Sequence, residues 1–262
     1  MRIIHDMKRL PATLALVALG LAAPATAQTA AGVRAAPFYP GESMEYAVQY
    51  GVLPAGTLEI GIDKLDTLNG RPAYHIVFRA ASNRTISYIY DIDSVEESWF
   101  DAGEFYSLRY KRESTENDRT RSKEYVFDQT RQVRVEPDGD VSPASPRAVD
   151  QVAMFYYVRL LPLEAGAKFV LRNQADPDDN PLTISVLKRE RVRVPAGSFD
   201  AYVLDLDVTT DGGLFKKGGE NRIWVTADAR HVPVKISSKV GLGSFEATLV
   251  DYARGAPIPS AR

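Results

Sequence analysis

The chain contains no cysteine, which excludes disulfides, thiol nucleophiles and cysteine-bound metals. Histidine is also scarce, with 3 among 262 residues, and only His75 and His231 lie beyond the N-terminal region. A zinc site would need both of them and a carboxylate, yet they lie in opposite halves of the sequence. Phosphate-binding glycine loops and the G-x-S-x-G motif of serine hydrolases are missing too. We therefore predict no metal, no cofactor and no catalytic set of these types.

A long apolar run is missing as well. The run ATLALVALGLAA at residues 12–23 has about a dozen residues, whereas a helix needs ~20 to span a bilayer. It follows Arg2, Lys8 and Arg9 and ends in small residues up to Ala27, as in a secretory signal peptide. We expect cleavage after Ala27 and an exported mature chain with no transmembrane segment.

The chain has no excess of basic over acidic residues. The net charge is −2, and loss of the predicted leader, with its three basic residues and one acidic residue, takes it to −4. Proteins that bind nucleic acid rely on clustered lysine and arginine, so nucleic acid is not an expected partner. One basic stripe, formed by Arg189, Arg191 and Arg193, is interpreted as a solvated strand face.

Proline and small residues are concentrated near the two ends of the chain, and they mark its expected organisation. We predict a signal peptide at 1–27, a flexible lead-in at 28–40, a single β-rich domain at 41–253 and a tail at 254–262. Between residues 41 and 253 no Pro/Gly/Ser-rich stretch is long enough to separate two domains.

Alternation of apolar and polar residues dominates the predicted domain. Leu58, Ile60 and Ile62 alternate with Glu59 and Asp63, for example. Strands with one apolar face are typical of antiparallel sheets, because parallel sheets are covered on both faces. We predict an all-β, mainly antiparallel fold: a curled sheet or half-open barrel of about a dozen strands, with a β-sandwich as the alternative.

One segment, 148–161, departs from this period. Apolar residues at helical spacing cover one side of it, and most of its other positions are apolar too, which is typical of a buried helix. Asp150 is favourable at the N-terminus of this helix, and Pro162 ends the helix. We predict that the helix fills the concave side of the sheet. A shorter helical turn is predicted in NRTISYIY, at 83–90.

The aromatic residues suggest a ligand site between sheet and helix. If the sheet closes incompletely, their rings would line an apolar cleft of the kind that binds small molecules. The candidate lining residues are Tyr46, Phe78, Tyr156, Tyr157 and Trp224, with Arg159 as an anchor for a headgroup. The alternative is a filled core.

Two further features have competing interpretations. Asp205 and Asp207 share one strand face, and their carboxylates are expected to lie about 7 Å apart. This separation would suit a general acid and a general base acting through a water molecule, but an exposed strand with alternating acidic residues gives the same pattern. Phe215, beside the turn KKGGEN, could be a lid, a finger touching a membrane, or a ring packed below the turn.

Three stretches together resemble a known family: GESMEYAVQYGVLPAGTLEI, DQVAMFYYVRLLPLEAG, and RVRVPAGSFDAYVLDL followed by GGLFKKGGENRIWVTADARHVPVKI. Their order and spacing are similar to those of the domain-of-unknown-function 3108 family of exported Gram-negative proteins. The resemblance implies a periplasmic β-rich domain and brings no catalytic residue or ligand. A more distant likeness, of architecture only, is to periplasmic lipoprotein carriers.

Three functions follow in order of preference. The first is a non-enzymatic periplasmic protein that shelters an apolar or amphiphilic, lipid-like molecule between curved sheet and helix. The second is an envelope assembly or interaction protein that docks an envelope protein through strand edges or the tip at 212–219. The third is a hydrolase using Asp205 and Asp207.

Overall fold

A computed structural model describes residues 36–88, 91–210, 214–240 and 243–257. The predicted signal peptide, its cleavage site after Ala27, residues 28–35 of the predicted lead-in and the last five residues of the predicted tail lie outside the described residues. Within the described ranges, no helix has the length and apolar character needed to cross a membrane.

Strands make up most of the described chain. Their bounds are β1 (Glu42–Tyr50), β2 (Leu53–Leu68), β3 (Arg71–Ser82), β4 (Ile92–Asp101), β5 (Ser107–Glu116), β6 (Arg119–Asp128), β7 (Val133–Val135), β8 (Val141–Pro143), β9 (Lys168–Leu171), β10 (Leu182–Val194), β11 (Gly197–Asp207), β12 (Glu220–Thr226), β13 (Pro233–Val240) and β14 (Gly243–Arg254). The helices are α1 (Arg84–Ser87), α2 (Gln151–Tyr157) and two 3₁₀ turns, Val158–Leu160 and Pro177–Asp179.

All fourteen strands belong to one antiparallel sheet in the order β8-β7-β6-β5-β4-β3-β2-β1-β14-β13-β12-β11-β10-β9. In the middle of the sheet β1 pairs with β14, the last of the described strands, with Glu42 opposite Arg254 and Tyr50 opposite Phe245. The prediction of a curled sheet or half-open barrel is confirmed, and the single sheet rules out the β-sandwich alternative.

The two edge strands do not pair with each other in the described residues. Instead, the segments beside them meet at one parallel bridge, between Val149 and Gln174. The Val149 amide donates to the Asn173 carbonyl at 2.7 Å, and Arg134 donates to Asp176 at 3.0 Å. The sheet is therefore joined at this seam by a few contacts rather than by a ladder.

Burial follows the alternation that the sequence predicts. Leu58, Ile60 and Ile62 are at most 2% exposed, because they share the face of the sheet that packs against α2, here called the inner face. Part of the expected flexible lead-in is packed as well. Phe38 is fully buried and its ring contacts the rings of Tyr74 and Tyr156 edge-on.

Helix α2 is shorter than the predicted 148–161. It begins after Asp150, whose side chain accepts hydrogen bonds from the amides of Val152 and Ala153, as an N-cap does. After Tyr157 the chain tightens into the 3₁₀ turn and then extends at Leu161, since the residue before a proline is disfavoured in a helix. The short turn expected within 83–90 is present as α1.

Candidate functional site

A cavity of about 150 Å³, partly open to solvent, lies between α2 and the inner face of the sheet. Its apolar lining comes from both halves of the sheet and from the helix. The lining includes Phe78 of β3, Leu182 of β10, Leu206 of β11, Ile223 and Val225 of β12, Pro233 of β13, and Val152, Met154 and Phe155 of α2. The helix and the sheet therefore enclose unfilled apolar space.

The size of the cavity limits what it can hold. A buried apolar cavity of roughly 150 Å³ is large enough for benzene, whereas typical ligand pockets measure roughly 300–1,000 Å³. The described space therefore fits one ring or a short alkyl segment, and most of a long lipid chain would remain outside it.

Leu214 and Phe215 cover one side of the cavity. Both are half-buried and pack against the core cluster, so Phe215 faces the cavity rather than standing out as an exposed finger. Residues 212 and 213 of the predicted docking tip lie outside the described ranges.

Polar groups occupy two places in the lining. Glu96 of β4 and Gln151 of α2 lie together on one side, and Gln174, Asp179 and Thr210 form the other group. Thr210 donates to the Asp179 carboxylate at 2.5 Å. A mainly apolar cavity with a few placed polar groups is the usual form of a small-molecule site.

The predicted lining residues fall in different places. Phe78 lines the cavity and stacks on Phe155, with ring centroids 6.4 Å apart. Tyr157 is half-buried and packs against the core. Trp224 points to the outer face, where its Nε1 donates to Glu190 at 2.7 Å. It alternates with Ile223 and Val225, which take the inner positions of β12.

Arg159 lies away from the cavity, in a buried ion pair with Glu42. Its Nη1 and Nη2 donate to the two carboxylate oxygens of Glu42 at 2.5 and 3.0 Å, and its Nε donates to the Arg230 carbonyl. Phe38 and Tyr156 cover the guanidinium at 5.2 and 5.0 Å. The expected headgroup anchor is thus already occupied within the protein.

Tyr46 and Tyr156 belong to the same packed region as this ion pair. Both are at most 2% exposed, and the Tyr46 hydroxyl donates to the Pro233 carbonyl at 2.8 Å. Burial, more than any neighbouring charge, raises the pKa of both phenols. These rings fill the core beside the helix.

Asp150 is a fully buried carboxyl at the start of α2. Besides capping the helix, it accepts a hydrogen bond from Ser98 at 2.6 Å, and its backbone amide donates to Ser107 at 2.8 Å. Burial raises its pKa to about 6, although hydrogen bonds to the carboxyl from the Ser107 and Ser98 side chains and from the amides of Ala153 and Val152 act in the opposite direction. Its contacts fix the helix against β4 and β5.

The remaining reactive groups lie apart from the cavity. Asp205 and Asp207 are on the outer face of β11, where Asp205 is 3.9 Å from Arg222. His75 is stacked on Trp99 on the outer face, and His231 contacts the Arg159 carbonyl at 2.9 Å. Among the described residues, no group of three histidine, cysteine, aspartate or glutamate side chains is arranged to hold a metal ion.

Sequence reasoning overlooked Glu96 and Gln151. Glu96 lies at an inner position of β4, between the buried Ser94 and Ser98, and is itself 7% exposed. The signal was available in the sequence SVEES at 94–98, where the alternate residues Ser94, Glu96 and Ser98, which share one face of the strand, are all polar. A charged residue at an inner position indicates either a partner or a site.

Comparisons with known proteins show the family but not a function. Residues 45–250 match the family model described as "Protein of unknown function (DUF3108)", and the chain belongs to this family. No curated protein matches the chain.

The fold is shared with a solved structure. It is a β-barrel-like protein of domain of unknown function DUF1849 from Brucella abortus, 10% identical, with a TM-score of 0.55 over 83% of this chain and 98% of that one. A protein from Bacteroides fragilis described as exported, with a YmcC-like fold, is 11% identical over 82% of this chain and 98% of its own, with a TM-score of 0.30. A protein from Parabacteroides distasonis described as a lipoprotein is 8% identical over 83% and 98%, with a TM-score of 0.29.

Proposed function

We propose that this member of the DUF3108 family is a non-enzymatic binding protein that holds a short apolar segment of a lipid-like ligand between α2 and the sheet. The observation that carries the proposal is the cavity of about 150 Å³, lined mainly by apolar side chains from both halves of the sheet and from the helix. A concave, mainly apolar space with a few polar groups in its wall is the usual form of a small-molecule site.

Export to the periplasm is part of the proposal. It is supported by the sequence of residues 1–27, in which basic residues, an apolar run and a small-residue cleavage motif follow one another as in a signal peptide.

The cavity sets an expected affinity. Burying each CH₂ group contributes about 0.8 kcal/mol, so each added carbon should tighten binding about fourfold until the cavity is filled. About five buried carbons would give a dissociation constant near the millimolar range, before any polar contact. Binding of a chain-length series should therefore strengthen and then level off once the cavity is filled.

Substituting Val208→Trp should weaken the binding of 1-alkanols by roughly tenfold or more, because the indole would occupy space that the alkyl chain needs. Val208 lines the cavity and is only half-buried, so the larger ring can be accepted without repacking the core. Dissociation constants from NMR titration with butanol to dodecanol measure the effect.

The matched control is Leu187→Trp, at a position that is 45% exposed. It should bind alkanols as the unchanged protein does, and circular dichroism should show both variants folded. Alkanols that fail to bind saturably, or that bind both variants equally, would remove the proposed function. Mass spectrometry of organic extracts would identify any ligand that copurifies.

A second candidate, docking of an envelope protein, is favoured by exposed apolar side chains near the β1–β2 turn. Val52 is 90% exposed and Tyr88 87%. The two segments are tied together by Asn83, whose side chain donates to the Pro54 carbonyl at 2.7 Å. Strand edges are poorer docks, because β8 and β9 have three and four residues and β8 ends in Pro143.

A photo-crosslinking residue placed at position 52 should trap one defined envelope protein in cells if this surface is a dock. The same residue at position 187 serves as the control, since Leu187 is also exposed. Identical crosslinking patterns from the two positions, read by gel and mass spectrometry, would argue against the second candidate.

A further inference from the structure

The polar side of the cavity is built around the carboxylate of Glu96. The Tyr110 hydroxyl donates to Glu96 Oε2 at 2.7 Å, and the side-chain amide of Gln151 donates to the same oxygen at 2.5 Å. The Gln151 nitrogen also donates to the Tyr110 oxygen at 2.8 Å. These three groups join β4, β5 and α2 at the cavity wall.

These hydrogen bonds use the donors of Tyr110 and of the Gln151 side chain, and they leave acceptor oxygens on Gln151 and Glu96. A carboxylate only accepts hydrogen bonds, so the nitrogen of the Gln151 amide must face Glu96 and its oxygen must point elsewhere. Within the described residues, that oxygen accepts no hydrogen bond. Burial, with Glu96 as the next cause, raises the pKa of Tyr110, so its hydroxyl stays protonated and remains a donor to Glu96.

The second oxygen of Glu96 is only weakly engaged. In the described part of the chain its nearest cationic group is the Nε of Arg112, at 3.7 Å, beyond hydrogen-bonding distance. That guanidinium is also paired with Glu116, at 3.0 Å. Glu96 as a residue is 7% exposed and lines the cavity, so this oxygen is an acceptor that a ligand in the cavity can reach.

The charge of the lining has one sign. Glu96 and Asp179 are both lining residues, and none of the lining residues in the described ranges is a lysine, arginine or histidine. Asp179 is held by the hydroxyl of Thr210, and its carbonyl accepts from the Gln174 side chain. A ligand carboxylate or phosphate placed here would be buried near like charges, which is unfavourable.

We propose that the cavity selects amphiphiles whose polar end donates hydrogen bonds, an alkyl alcohol or an alkylammonium, and rejects those with a carboxylate or phosphate end. The inference rests on the proposed function and names its ligand class. The alkyl chain occupies the apolar space between Phe155 and β12. The hydroxyl or ammonium donates to Glu96 and to the Gln151 oxygen.

NMR titrations at pH 7 test this selection with three compounds that share an eight-carbon alkyl chain and differ in the polar group. The compounds are octylamine, octan-1-ol and octanoate. Octylamine should bind about 10- to 100-fold more tightly than octanoate, because the ammonium donates charge-assisted hydrogen bonds to Glu96 whereas the carboxylate meets a like charge. Octan-1-ol should lie between them. This comparison needs no variant and therefore no assumption about folding.

Glu96→Gln removes the charge and should shrink the preference for octylamine over octanoate by about tenfold or more, with a smaller change for octan-1-ol. Glu97→Gln is the control, since it makes the same change at the next residue of β4, beside His75 on the outer face. It should leave the preference as it was.

The outcomes separate the two proposals. Saturable binding of all three compounds with equal affinity, or with octanoate strongest, would overturn the ligand class and leave the binding function standing. The same holds if Glu96→Gln and Glu97→Gln behave alike. Failure of all three compounds to bind would remove the binding function together with the ligand class.

Discussion

Glu42→Gln is expected to lower the free energy of unfolding by about 3–5 kcal/mol, the usual cost of leaving one partner of a buried ion pair unpaired. Both side chains of the Glu42–Arg159 pair are 0% exposed. Burial alone would lower the pKa of Arg159, but its hydrogen bonds and charge interaction with Glu42 outweigh this and raise it. The guanidinium would therefore stay charged, enclosed by Phe38 and Tyr156, without its counter-ion.

Denaturant unfolding of the variant and of Glu45→Gln measures this effect. Glu45 lies on the same strand and is exposed, so its substitution should change stability by less than about 0.5 kcal/mol. The double variant Glu42→Met with Arg159→Met should recover much of the loss, because an apolar pair needs no counter-ion. Equal stabilities of the two single variants would show that the ion pair does not hold the 3₁₀ turn after α2 on β1.

The difference in stability between Asp150→Asn and the unchanged protein is expected to depend on pH. Burial raises the pKa of Asp150 to about 6, above the roughly 3.9 of an aspartate in an unfolded chain. Between these values the folded state binds the additional proton, so the stabilisation from this proton is complete below about pH 4 and is lost as the pH rises through about 6. The loss is on the order of 2–3 kcal/mol.

Asparagine remains neutral and can still cap α2, since Asn is as good an N-cap as Asp. The stability of Asp150→Asn relative to the unchanged protein should therefore rise by about 2–3 kcal/mol between pH 4 and pH 7. Asp93→Asn, at an exposed position on β4, should show no such rise. If the stability difference between Asp150→Asn and the unchanged protein does not change over this pH range, the raised pKa of the buried Asp150 carboxyl is contradicted.

The anchor predicted from the sequence, Arg159, and the anchor that we propose, Glu96, have opposite charges, and the reason is physical. In the sequence, Arg159 is flanked by apolar residues and follows shortly after Tyr156 and Tyr157, so the pattern indicates a cation at the end of an apolar helix. Its partner Glu42 lies 117 residues earlier, and nothing local connects them. A buried charge cannot be assigned a role before its counter-ion is known.

Trp224 shows a similar limit. Its residue type is typical of ligand sites, but on a strand the period of two decides the face, and Ile223 and Val225 occupy the inner face of β12. The alternation at 223–225 is apolar throughout, so the sequence does not tell the two faces apart. Packing against α2 decides which side is inner.

The sequence by itself determined the antiparallel sheet, the inner positions of strands such as β2 and the buried helix capped by Asp150, because these depend on periods of two and 3.6 residues and on short-range capping. Only the tertiary structure decided where space remains unfilled and which charges meet there. Glu96 and Gln151 are 55 residues apart and become neighbours through the curl of the sheet and the seating of α2. Those depend on how side chains from distant elements interdigitate, which no local pattern specifies.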